Sequence, residues 1–129
     1  MPRLKAGEAR RLAEDFYKLS VKLGSYRFAN WDDLSPRQRR EIESIEWSLL
    51  NASSDFTSMA ITLSLDDSGP VLDRVRRVTR KMKSSIKTLE RVGKVLGIGE
   101  AAVRLTGAIL SGSPAAVARA LDEAVRASS

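Results

Sequence analysis

Glu43-Ser44-Ile45-Glu46 sets two carboxylates three residues apart, which places both on one face of a helix. That spacing can hold a divalent cation against a nucleotide phosphate if a facing helix supplies a second acidic pair. The helices expected before and after it offer only scattered acids: Glu8, Glu14 and Asp15 in the first, Asp73 and Glu90 in the third. There is no histidine and no cysteine, so an imidazole base, a thiolate nucleophile, a zinc finger and a disulfide framework are all excluded. Nor is there a Gly-x-x-x-x-Gly-Lys-Ser/Thr loop to cradle a phosphate. The expectation is a protein that is not an enzyme, with no catalytic residue, metal ligand, cofactor or small-molecule substrate.

Binding chemistry is better represented. Nine basic residues fall between Val71 and Lys94, against only Asp73 and Glu90: Arg74, Arg76, Arg77, Arg80, Lys81, Lys83, Lys87, Arg91 and Lys94. With Val75 opening a heptad, none of the nine falls on the apolar seam, so they predict an exposed cationic helix face. Such a face attracts phosphate groups or an anionic lipid surface; otherwise it is a solvated side partly neutralised by the acidic segment before it. It carries no aromatic for stacking and no Asn or Gln to read base edges, so sequence-specific nucleic-acid recognition is not expected. The net charge of +6 favours an anionic partner in any case.

All seven aromatic residues lie in the first 56 positions, and three of them, Tyr26, Phe28 and Trp31, sit between Gly24 and Ser35. Two readings follow. The three seal one end of the fold as a small aromatic core, or they stand exposed as an anchor for a protein partner.

Two heptad stripes must position these groups. One runs Ile42, Ile45, Leu49, Ala52, Phe56, Met59, Leu63; the other runs Val75, Val78, Met82, Ser85, Leu89, Val92, Leu96. A 3-then-4 step lines one side of a helix, so each segment needs a neighbour along its length. Leu12, Phe16, Leu19 and Leu23 mark an earlier helix that Gly24 is placed to end. Ser35-Pro36-Arg37-Gln38 reads as a capped helix start. Asp66-Asp67-Ser68-Gly69-Pro70 reads as a break and restart, and Gly97-Ile98-Gly99 and Ser111-Gly112-Ser113-Pro114 as further interruptions.

The predicted fold is therefore all-α, one domain over residues 1–129, an up-and-down bundle. It has three main helices at about 4–23, 36–65 and 71–96, and a short C-terminal pair at about 100–110 and 115–127. The second and third helices are expected to form an antiparallel hairpin, acidic against basic, with the first helix on the other side of the second. Val117, Leu121 and Val125 are expected to point inward. The C-terminal stretch is the most apolar, and its pairs Gly93/Gly97 and Gly107/Ser111 permit close helix contact. Each of its arms is too short to cross about 30 Å of hydrocarbon.

The functional expectation is a non-enzymatic interaction module that binds a protein partner or a second copy of itself. One alternative is a bundle that associates with anionic membrane through the cationic third helix and the small-residue C-terminal helices. Another is a nucleic-acid binder of low specificity. Residues 1–8 lack the apolar core of a secretory signal, which points to a cytoplasmic protein, peripheral at a membrane in the first alternative.

Overall fold

The computed structural model describes residues 6–58 and 68–129, and it is helical throughout: α1 Ala6–Ala29, α2 Pro36–Ser58, α3 Ser68–Ser85, α4 Val92–Ser111 and α5 Pro114–Ala127. A single 3-10 turn, Trp31–Asp33, joins α1 to α2. Met59, Leu63 and the Asp66–Asp67 step lie outside the described residues.

α1 does not stop at Gly24. A methyl group on Gly24 would sit 2.8 Å from a carboxylate oxygen of Glu46 on α2, so this glycine lets two helices approach closely. The helix continues until Asn30, whose side-chain amide donates to the Tyr26 carbonyl at 3.0 Å and caps the last turn. Leu12, Phe16, Leu19, Leu23 and Tyr26 form its buried stripe. The start of α2 matches its sequence signature. Gln38 N–H donates to the Ser35 hydroxyl, and Ser35 N–H donates to the Gln38 side-chain oxygen.

The third predicted helix, 71–96, is two helices. α3 ends at Ser85, Ile86–Arg91 form a loop, and α4 starts at Val92. Two groups on α1 claim backbone carbonyls of that loop: Asn30 Nδ2 donates to Thr88 O at 2.8 Å, and Tyr26 Oη to Glu90 O at 2.6 Å. Ser84 and Ser85 also turn their hydroxyls onto the Lys81 carbonyl, a local bond that competes with helix continuation. Leu89, expected on the seam, is 93% exposed.

Gly97-Ile98-Gly99, expected to interrupt, lies inside α4. Gly99 is buried where a methyl group would meet Ile45 Cγ2 at 2.9 Å, so it admits α2. Gly93, Gly97 and Gly107 face open space; the close contact expected of their spacing is made at Gly99 instead. In α5 the inward stripe is Val117, Ala120, Leu121 and Ala124, while Val125 is half exposed.

The expected hairpin is also replaced. α1 packs on α2 and α3, α2 on α1 and α4, α4 on α2 and α5, and α5 on α4 and α3. The five helices thus close a ring around one apolar core, in the order α1–α2–α4–α5–α3. α1 and α2 are antiparallel, because Ser20 Oγ donates to Glu46 O and Ser53 Oγ donates to Ala13 O. Asp15–Arg76 and Tyr26–Glu90 show that α3 runs parallel to α1. No helix among the described residues is long and apolar enough to cross a membrane.

Candidate functional site

The nine cations do not act as one face. Arg74 pairs with Asp122 of α5 at 2.9 Å, and Arg76 with the buried Asp15 of α1 at 2.8 Å. The hydrogen bond to Asp15 raises the Arg76 pKa further above its ordinary value. Lys94 lies 3.8 Å from Glu90 of the preceding loop. The remaining six, Arg77, Arg80, Lys81, Lys83, Lys87 and Arg91, are exposed, and none has a carboxylate within 4 Å among the described residues. Charge sign alone suggested α2 as the neutralising neighbour; the acids that reach α3 come from α1 and α5.

Glu43 and Glu46 bracket an arginine rather than an open coordination site. Arg27 Nε donates to Glu46 Oε2 at 2.7 Å, its Nη2 to Oε1 at 3.3 Å, and Nη1 lies 3.8 Å from Glu43. That hydrogen bonding, despite partial burial, raises the Arg27 pKa. Among the described residues no three carboxylates come together.

The aromatic trio divides. Tyr26 is buried, and that burial, with Glu90 and Asp33 nearby, pushes its phenol above the ordinary value of 10. Phe28 and Trp31 are exposed and stacked, ring centroids 6.1 Å apart and planes 13° apart. Arg27 lies 4.8 Å over Phe28, and Arg39 lies 4.4 Å over Trp31 while donating to the Trp31 carbonyl. Buried and exposed rings are thus different members of one short segment.

Phe28 and Trp31 are not isolated. Tyr17 is 50% exposed, Val21 51%, Phe28 68%, Trp31 41% and Trp47 59%. On α1 the spacing of 17, 21 and 28 keeps one strip, one step round the helix from Ser20 and Gly24, which face α2. On α2 the half-buried Leu50 and exposed Trp47 lie beyond Glu46 and Ser53, which face α1. The two strips together form the outer face of the α1–α2 pair. Trp47 stands off the heptad stripe of its helix, and that side is not spent on the core. Comparison with protein families, with curated proteins and with solved structures gives no significant match.

Proposed function

We propose that this protein is a non-enzymatic interaction module that pairs with a second copy of itself through the outer face of α1 and α2. The observation that carries the reading is the gathering of Tyr17, Val21, Phe28, Trp31 and Trp47 on that face. Large aromatic residues present about 150–250 Å² each, so at these exposures the patch amounts to roughly 500 Å² of apolar surface. A standard interface takes about 800 Å² per partner, of which about 65% is apolar at the core. The patch therefore matches the apolar part of one side of a dimer. It also reaches the upper end of what a monomer normally leaves in water, about 300–600 Å².

Charge supports like-on-like packing here. The charges of the face are balanced, with Lys18 held by Glu14 at its edge and Arg27 held by Glu43 and Glu46 between the two strips. Two copies can meet without opposing fields of one sign, which the α3 side does not permit. Sedimentation equilibrium over a wide concentration range tests the reading. Dimerisation that Trp47→Ser and Phe28→Ser weaken at least tenfold supports it, while a monomer at every concentration overturns it. The chain's two tryptophans, Trp31 and Trp47, both lie on this face. A blue shift of their emission on association is the second readout.

A further inference from the structure

The α1–α3 side of the molecule has a different chemistry. Lys18, Arg76, Thr79, Arg80 and Lys83 line a groove between the two helices. Further along, Lys22 shares a small cleft with Tyr26, Ile86 and Thr88 of the following loop. Because α1 and α3 run parallel, this row of cations leads from the Asp15–Arg76 pair straight to the loop at Ile86–Arg91. The acids near the row are engaged: Glu14 by Lys18, Asp15 by Arg76, and Glu90 by Lys94. Lys22, Arg80, Lys83, Lys87 and Arg91 have no carboxylate within ion-pair distance among the described residues.

At the end of the row stands Leu89, almost wholly in water and flanked by Thr88 and Glu90, whose carbonyls are clamped by Asn30 and Tyr26. Two hydrogen bonds from the end of α1 hold the backbone on either side of it. A bare leucine held out among cations neither stacks on a base nor reads one, and no aromatic residue stands in the row. It does suit a plane of negative charge with hydrocarbon just below it.

We propose that the α1–α3 edge docks peripherally on an anionic bilayer. Lys22, Arg80, Lys83, Lys87 and Arg91 meet lipid phosphates and carboxylates, and Leu89 enters the acyl boundary. One inserted side chain and a handful of cations make a reversible association that depends on salt and lipid charge. The dimer face and this edge lie on different sides of α1 and meet at Lys18, so docking does not require pairing.

Co-sedimentation of the full chain with phosphatidylcholine vesicles containing about 30% phosphatidylserine tests this, since each surface cation contributes roughly fivefold to such binding. The expected result is binding to these vesicles, none to pure phosphatidylcholine, and release by high salt. Lys87→Glu/Arg91→Glu should abolish it. Leu89→Asp, at a site where circular dichroism should show no loss of helix, should weaken it about tenfold, as expected for the loss of an inserted leucine. Ala118→Ser, on the exposed side of α5 and outside both surfaces, should leave it unchanged. Equal binding to neutral vesicles, or no effect of Leu89→Asp, overturns the proposal. So does tighter binding to a short DNA duplex than to the charged vesicles, which would assign the cations to nucleic acid.

Discussion

α1 lies between two neighbours and treats them differently. Toward α2 it presents a glycine, a serine hydroxyl that donates to Glu46 O, a carbonyl that accepts from Ser53, and an arginine whose carboxylate partner is almost as buried as itself. Toward α3 it presents one deep ion pair, Asp15–Arg76, then Lys18 paired with Glu14 and a Lys22 unpaired among the described residues, facing Arg80 and Lys83 of α3. The first contact is tight and electrically closed, leaving its outer side apolar. The second is looser and keeps a surplus of positive charge. The neighbours differ in sign, α2 nearly balanced and α3 strongly basic, and the contacts differ in which charges find partners inside the fold.

Breaking the closed side should have the largest effect. Phe16 and Phe56 meet at 5.6 Å across α1 and α2 and are fully buried, so Phe56→Ala should cost about 3–5 kcal/mol in urea unfolding. Arg27→Ala comes next. Arg27 and Glu46 are 11% and 14% exposed, and stranding the carboxylate there should cost about 3 kcal/mol. The same substitution at Arg74, whose pair is 42% and 64% exposed, should cost about 0–1 kcal/mol. Equal losses at Arg27 and Arg74 would erase the distinction between a buried pair and an exposed one.

Tyr26→Phe probes the clamp on the α3–α4 loop and should cost about 1 kcal/mol at neutral pH. It also has a pH signature. The folded phenol titrates above its ordinary value of 10, chiefly through burial, so the unfolded chain loses this proton first. The stabilising contribution is complete below about pH 10 and is lost as pH rises through the folded value. Stability measured through that range should fall less steeply in Tyr26→Phe than in the parent. The smallest effect belongs to Trp47→Ser, whose unfolding free energy under monomeric conditions should stay within about 0.5 kcal/mol of the parent.

Local signals were readable and remote ones were not. Ser35, Pro36 and Gln38 announce the α2 start because every atom of the cap lies within four residues. The stripe from Ile42 to Phe56 is buried as its period demands. The end of α3 could not be read the same way. It depends on Tyr26 and Asn30, which lie 64 and 58 positions from the carbonyls they bind. Gly24 and Gly99 resemble helix breakers in sequence, and only the approach of Glu46 and Ile45 shows them to be contact points. Opposite charge on neighbouring segments suggested a hairpin, yet such surface attraction is weak and apolar fit chose other partners. As for the candidate sites, composition located the cations and the aromatics. It did not show that Arg74 and Arg76 are paired, that Tyr26 is buried while Phe28 is not, or that Leu89 leaves the seam.

The order of the ring has a consequence for synthesis. α3 rests between α1 and α5, and α5 leaves the ribosome some thirty residues after α3 does. Until it emerges, Val78 and Ser85 on the α5 side of α3 lack their cover, and the nascent chain exposes an amphipathic, strongly basic helix. Ring closure is therefore a late step, and the interval before it is when a chaperone has most to protect.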